Sequence, residues 1–150
     1  MQKTNLSPIR WVLTLLVLAF IGFTDAVYMT AVHYLGELPV CSIIEGCDVV
    51  AMSPYSTIGP IPVALPGVLF YSLILFSGIF WLDTRIPILF KYLPYVTIPA
   101  FVFSVWLVYI MLFEIEALCI YCLISAASTT LIMLISLWLR KHVMYKFLLI

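Results

Sequence analysis

The sequence predicts an all-α membrane protein, a bundle of four transmembrane helices with a short helix in the first outer loop. Three observations lead to this fold class. First, 65% of the 150 residues are hydrophobic and 9% are charged, whereas soluble domains are about 45–50% apolar and about 25% charged. Second, four apolar segments are each long enough to cross ~30 Å of hydrocarbon. Third, every basic residue falls on the same side of these segments.

The four segments form a single predicted domain over residues 1–150, with no internal repeat and no low-complexity stretch. Their predicted bounds are about residues 11–34, 61–82, 94–113 and 118–139. The first apolar run is longer than the ~7–15 residues of a signal peptide, and no A-x-A cleavage site follows it. We therefore expect this segment to be retained as a membrane span.

The basic residues predict the orientation of the bundle. Both loops on the opposite side, residues 35–60 and 114–117, contain no lysine or arginine. By the positive-inside rule both termini are expected to be cytoplasmic, in a multi-pass protein of the inner (cytoplasmic) membrane. The seven basic residues that predict this orientation are Lys3, Arg10, Arg85, Lys91, Arg140, Lys141 and Lys146.

The first outer loop, between segments one and two, contains Cys41 and Cys47. Five residues including a glycine separate them, so the pair can close into a small disulfide ring on a water-facing segment. Exposed disulfides of this kind exchange readily with thiols. The apolar stretch 47–53 predicts a short helix that caps the bundle, and the Pro- and Gly-rich stretch 53–62 excludes a continuous helix.

The last segment begins with a C-x-x-C motif formed by Cys119 and Cys122. At the start of a helix this spacing places the two sulfur atoms one turn apart, close enough to form a disulfide. The partial positive charge of a helix N-terminus favours the thiolate form. Cys122 is expected one turn deeper in the membrane than Cys119. Because both cysteine pairs fall on the outer face, thiolate attack on a disulfide would pass electrons from one pair to the other.

Simpler explanations exist for these residues. Four thiolates form structural zinc sites, but such sites usually combine two C-x-x-C knuckles in a soluble module, and we expect no metal here. Two structural disulfides are common on an oxidising face, although a C-x-x-C bridge within one helical turn constrains almost nothing. Asp25, inside segment one, is either functional or a hydrogen-bonded link between helices, and both interpretations remain open.

The expected electron acceptor is a lipid-soluble quinone, either ubiquinone or menaquinone. Such a molecule needs an apolar pocket near a thiolate and one or two groups that donate to its carbonyls. The mouth of the bundle offers Ser53, Tyr55 and Ser56 on the cap and Phe70 and Tyr71 on segment two. The expected contacts are Ser53, Tyr55, Phe70 and Asp25. No pattern typical of NAD, flavin or haem binding is present, and no nucleic-acid partner is expected.

An ordered set of motifs resembles the bacterial and archaeal members of the vitamin K epoxide reductase family. It comprises Gly22-x-x-Asp25-x-x-Tyr28, Cys47-Asp48-x-Val50-x-x-Ser53, Gly59-Pro60-Ile61-Pro62 and the C-x-x-C motif. The resemblance implies a four-helix bundle around a quinone and a relay through cysteine pairs. By this resemblance Cys41 would meet a thioredoxin-like partner, Cys47 would pass electrons to Cys119, Cys122 would face the quinone, and Ser53 would lie beside the site.

The departures from the family pattern narrow the expected reaction. The asparagine and tyrosine that contact vitamin K in the vertebrate enzymes have no clear counterpart, and Ala126 stands at the expected tyrosine position. The resemblance therefore favours quinone reduction coupled to disulfide formation over epoxide reduction. Many bacterial members carry a fused thioredoxin-like domain that we do not expect here, so the partner would be a separate DsbA-like protein on the outer face. The DsbB family is a poorer match, because its C-x-x-C lies in the first outer loop.

Together these features predict a membrane thiol:quinone oxidoreductase that reoxidises an extracytoplasmic dithiol protein and so supports disulfide bond formation. One alternative is a non-catalytic membrane scaffold or small transporter with structural disulfides. Another is direct reduction of a small molecule with partner thiols as the electron source.

Overall fold

The computed structural model describes residues 6–41, 46–86 and 88–148, with side chains described for 9–41, 46–86 and 90–142. Lys3 and the side chain of Lys146, both used in the orientation argument, lie outside these ranges. The described helices are α1 (Leu6–Leu35), α2 (Cys47–Met52), α3 (Ala64–Thr84), α4 (Ile88–Phe113) and α5 (Ile120–Leu148). A 3-10 turn (Pro54–Ser56) and an antiparallel pair of short strands, β1 (Thr57–Ile58) and β2 (Ile61–Pro62), connect α2 to α3.

The four long helices confirm the predicted fold class. Helices α1, α3, α4 and α5 are each long and apolar enough to cross a membrane, which identifies an integral membrane protein. Helix α2 is the short helix predicted in the first outer loop. Helix α4 begins at Ile88 rather than near Pro94 and continues through Pro94 and Pro99. Membrane helices tolerate internal proline because neighbouring groups satisfy the backbone atoms that proline frees.

The helices are not packed evenly around the bundle. Helix α1 packs along both α3 and α5, and α5 packs along α4, whereas α3 and α4 touch at only a few residues. Polar groups join the helices inside the bundle, as at Thr97 and Ser136, both fully buried with their hydroxyl oxygens 2.9 Å apart. Large apolar side chains such as Phe20 and Phe76 are exposed on the outside. Lipid tails are as apolar as leucine, so close packing and hydrogen bonds hold such bundles together.

Tyr71 connects three of the four long helices. Its ring lies against Gly22 of α1 so closely that a Cβ added at Gly22 would lie 2.8 Å from Tyr71 Cε2 and closer still to other ring atoms. The residue Tyr71 is 1% exposed. Its hydroxyl oxygen lies 2.9 Å from the carbonyl oxygen and from the hydroxyl oxygen of Ser125, and 2.9 Å from Oγ1 of Thr129. Ser125 and Thr129 are both on α5. The glycine therefore lets α3 approach α1 while Tyr71 bonds to α5.

Both cysteine-bearing segments lie at one end of the bundle, because consecutive long helices run in alternating directions. Helix α1 ends with Gly36 at φ 70°, and the N–H groups of Gly36 and Glu37 bond to the carbonyls of His33 and Val32. This is the hydrogen-bond pattern of a Schellman cap. Residues 114–119 form the other turn at this end, where Glu114 and Ile115 both donate to the carbonyl of Ile110.

We predict that Gly22→Ala destabilises the bundle by about 1–3 kcal/mol, because the added methyl group overlaps the Tyr71 ring. Thermal unfolding of the purified protein in detergent measures the effect. Gly67→Ala is the matched control, since the nearest atom to its added Cβ is the Ala26 Cβ at 3.4 Å and alanine is the better helix former. Equal unfolding temperatures for the two variants would contradict the close approach at Gly22.

Candidate functional site

Cys41 and Cys47 are joined in a disulfide with their Cα atoms 6.1 Å apart, within the usual range for such bonds. The two sulfur-bearing residues differ in access. Cys41 is half-buried, whereas Cys47, the first residue of α2, is 0% exposed. A thiol arriving from solvent therefore reaches the sulfur of Cys41 before that of Cys47.

Cys119 and Cys122 are free thiols at the beginning of α5. Cys119 immediately precedes the helix, and its carbonyl oxygen accepts the N–H of Leu123 at 3.1 Å. Its sulfur accepts the N–H of Cys122 at 3.5 Å, as a side chain does at a helix N-cap. The sulfur of Cys119 is thus held over the unpaired N–H groups of the first turn, where a negative charge is stabilised.

The two cysteine pairs meet in one buried cluster. Cys47, Met111 and Cys119 form its fully buried centre, and Cys41 and Cys122 pack against it. Gly46 brings α2 to this place, because a Cβ there would lie 3.0 Å from the carbonyl oxygen of Leu118. The backbone beside Cys47 therefore touches the backbone beside Cys119, although 72 positions separate the two cysteines in the sequence.

Gly46 is suited to this contact in two ways. Its φ of 142° lies in a region that side-chain-bearing residues rarely adopt. Its missing side chain leaves room for the peptide of Leu118, whose N and O atoms both lie within 3.2 Å of the position a Cβ would take. Met111 completes the cluster, since its sulfur accepts the N–H of Cys119 at 3.4 Å.

The surroundings of Cys119 favour its thiolate. The side chain of Cys122 hydrogen-bonds to the Cys119 sulfur, and together with backbone N–H donors it lowers the pKa of Cys119 to about 7. Burial acts in the opposite direction but is the weaker effect. Because the thiolate is the nucleophile in disulfide exchange, Cys119 is the activated member of the C-x-x-C pair.

A cavity of about 260 Å³ lies beneath the α2 cap, between those halves of the long helices that are nearer the cysteines. Its lining is mostly apolar and includes Cys122, so this thiol lies at the boundary between the cysteine cluster and the cavity. The four residues expected to contact a quinone are brought together here: Asp25, Ser53, Tyr55 and Phe70 all line the cavity.

These four residues contribute different chemistry. Asp25 is partly buried and supplies a carboxyl group from within α1. Phe70 supplies an aromatic ring, which lies edge-on to the ring of Tyr71 with 5.1 Å between the two ring centroids. Tyr55 is 44% exposed at the mouth of the cavity. Ser53 donates its hydroxyl proton to the carbonyl of Val50 at 2.8 Å, so in this conformation its oxygen is an acceptor rather than a donor toward the cavity.

The cavity lies where α3 and α4 separate. Its walls include Pro66 and Gly67 of α3 and Phe103 and Leu107 of α4, and these two helices touch at only a few residues. The seam between α3 and α4 is thus beside the cavity. An apolar molecule dissolved in the lipid would meet few contacts between helices at this seam.

Sequence reasoning did not identify Gly46 or Met111 as parts of the site. Met111 belongs to an apolar segment in which methionine is unremarkable. Gly46 was treated only as a flexible residue that lets the disulfide ring close. Its position next to Cys47, one residue before the cap helix, is the signal in the sequence that could have indicated a close backbone contact.

We predict that the hydrogen bonds from Cys122 lower the pKa of Cys119 to about 7, below the ordinary value for a cysteine thiol. The thiolate is present above the pKa and is lost as the pH falls through about 7. Ultraviolet absorbance of the thiolate, recorded against pH with Cys41–Cys47 oxidised, measures this. Cys122→Ala should move the transition to higher pH, and Cys119→Ser should abolish it. A transition unchanged in Cys122→Ala would contradict the assigned cause.

A family model described as "Vitamin K epoxide reductase family" matches residues 13–137, from the first turns of α1 to the body of α5. No curated protein matches the chain. The matched range contains all four cysteines and the whole cavity lining, and members of this family are oxidoreductases of thiols and disulfides in membranes. The chain therefore belongs to the vitamin K epoxide reductase family.

Proposed function

We propose that this protein is a thiol:quinone oxidoreductase that reoxidises a dithiol protein outside the cytoplasm. The observation that supports this best is the position of the C-x-x-C pair. Cys119 is buried against Cys47 of the loop disulfide, and Cys122 lines the apolar cavity. The pair thus connects a disulfide that solvent can reach with a cavity that a lipid-soluble acceptor can reach.

The cysteines carry out the reaction as a sequence of exchanges. A partner thiolate attacks Cys41 and releases Cys47 as a thiolate, and the second partner thiol then displaces Cys41, which leaves the partner oxidised and the loop pair reduced. Cys47 attacks Cys119 of an oxidised C-x-x-C pair and releases Cys122. Cys41 then attacks Cys47, which restores the loop disulfide and leaves Cys119 and Cys122 reduced.

The last step returns the C-x-x-C pair to its disulfide. Cys119 and Cys122 lose two electrons and two protons, which convert one quinone in the cavity to quinol. In the net reaction, one partner dithiol and one quinone are converted to one partner disulfide and one quinol. A quinone supplies the two-electron acceptor, and ubiquinone and menaquinone both satisfy this balance.

The roles of the two loop cysteines follow from their exposure. Cys41 is half-buried and Cys47 is fully buried, so we assign the partner's attack to Cys41 and the internal exchange to Cys47. This assignment suits a separate thioredoxin-like, DsbA-like partner, whose reactive cysteine needs an accessible sulfur. The basic residues on the opposite end of the bundle support an inner-membrane protein with this end outside.

The cavity fits the head group of a quinone. Its volume of about 260 Å³ is near the lower limit of ~300–1,000 Å³ for small-molecule pockets, which suits a ring whose tail remains in lipid. Phe70 provides an apolar surface for the ring, and Asp25 provides a carboxyl group. A neutral carboxyl group donates a hydrogen bond to a quinone carbonyl and can deliver one of the two protons.

We predict that Cys119→Ser and Cys122→Ser each abolish quinone reduction while the protein accumulates normally. Cys41→Ser and Cys47→Ser should lose reduction driven by a dithiol protein but keep reduction driven by a small dithiol, which reaches the C-x-x-C pair directly. Quinone absorbance follows the rate, and thermal unfolding follows the fold. If the protein is instead a scaffold with structural disulfides, the serine variants will lose stability and wild type will not reduce quinone.

We predict that Asp25→Asn slows quinone reduction by about 100-fold or more, because a positioned acid contributes about 10²–10⁴-fold. Exchange between Cys41–Cys47 and a small dithiol should be unchanged, because Asp25 lines the cavity rather than the loop. Asp83→Asn is the matched control, since Asp83 is exposed at the other end of α3. Equal quinone-reduction rates in the two variants would remove Asp25 from the proposed role.

A further inference from the structure

Two tyrosine hydroxyls hold the backbone of Val40, the residue before Cys41. The N–H of Val40 donates to the Tyr28 hydroxyl oxygen at 3.2 Å. The Tyr121 hydroxyl donates to the carbonyl oxygen of Val40 at 2.9 Å. Both hydrogen-bonding groups of this one residue are therefore bonded to side chains from the helical bundle.

The two tyrosines come from different helices and touch each other. Tyr28 is on α1 and Tyr121 is on α5, with ring centroids 5.1 Å apart. Tyr121 is the residue between Cys119 and Cys122 in the C-x-x-C motif. The backbone attached to Cys41 is thus bonded to the helical turn that carries the second cysteine pair.

The neighbours of Val40 are held by other means, because Pro39 is buried and Cys41 is bonded to Cys47. Residues 37–41 have no regular secondary structure, and the side chain of Val40 is 74% exposed. Side-chain packing therefore does not hold Val40 in place. Among the described residues, the hydrogen bonds that anchor Val40 are the two from the tyrosines.

We propose that Tyr28 and Tyr121 are positioning residues, a tyrosine clamp that fixes Cys41 beside Cys47 through the backbone of Val40. The proposal rests on the proposed function and adds the residues that control the loop disulfide. When the disulfide opens, the clamp keeps Cys41 near Cys47 and so raises the effective concentration of one thiol at the other. The clamp therefore favours closure of the ring after each exchange.

The test compares the redox equilibrium of the loop pair in Tyr28→Phe, Tyr121→Phe and the double variant. Phenylalanine keeps the contact between the rings at positions 28 and 121 and removes the hydroxyl group. The full-length protein in detergent is equilibrated with glutathione buffers, in which the disulfide and two glutathione thiols exchange with the dithiol and one glutathione disulfide. Alkylation and mass spectrometry then give the oxidised fraction of Cys41 and Cys47. Tyr34→Phe is the control, since Tyr34 is 62% exposed near the same end of α1.

We expect the equilibrium constant for forming Cys41–Cys47 to fall about fivefold in each single variant, as for loss of one typical hydrogen bond. The double variant should fall by less than the product of the two, because both hydroxyls restrain the same residue. The control should match wild type. Oxidised fractions in the two single variants equal to that of Tyr34→Phe would overturn the proposal.

A second measurement needs no variant. Hydrogen exchange of the wild-type protein should show the Val40 amide protected relative to Leu38, and equal exchange at the two positions would overturn the clamp even if a variant failed to fold. Neither measurement uses quinone or a protein partner. A wild-type protein with a protected Val40 but no quinone reduction would therefore refute the proposed function and leave the clamp standing.

Discussion

The end of the bundle that carries the four cysteines is organised around the place where the backbone at Gly46 meets the backbone at Leu118. The cap helix α2 can lie against the start of α5 only because residue 46 has no side chain there and adopts a φ of 142°. This contact brings Cys47 and Cys119, each fully buried, into one cluster. A second link between the loop and the start of α5 is the hydrogen bond from Tyr121 to the carbonyl of Val40.

Each cysteine pair has one member at the centre of the cluster and one at its edge. Cys47 and Cys119 are central, whereas Cys41 is half-buried toward solvent and Cys122 lines the cavity. One central and one edge cysteine also differ in their hydrogen bonds. The central Cys119 accepts hydrogen bonds from donors in the first turn of α5, which favour its thiolate. At the edge, the residue before Cys41 is hydrogen-bonded to two tyrosines. The four positions differ in access, and in the proposed function this difference gives the exchange steps an order.

The fold was largely predictable because membrane spans leave strong signals. The length of the apolar segments predicts the four long helices, and the apolar stretch after Cys47 predicts α2. The third predicted segment starts at Pro94, whereas α4 begins at Ile88 and runs through Pro94 inside the bundle. Local proline chemistry does not reveal whether neighbouring helices will satisfy the freed backbone groups.

The candidate site was less predictable where it depends on contacts between distant residues. The spacing of Cys41 and Cys47 indicated a ring, and the cap position of Ser53 indicated the cavity. The bond of the Ser53 hydroxyl to Val50 could not be inferred, because it depends on how α2 ends. The bond from Tyr121 to Val40 joins residues 81 positions apart. The apolar pattern of α1 and α5 does not show in which direction the side chains of Tyr28 and Tyr121 point.

The separation of α3 and α4 bears on which acceptors the protein can distinguish. A polyisoprenoid chain attached to a ring in the cavity would pass between these two helices and continue among the lipid acyl chains. Its outer units would then exchange one hydrocarbon environment for another, at little change in free energy. Discrimination between electron acceptors would consequently depend on the substituents of the ring and hardly at all on the number of prenyl units.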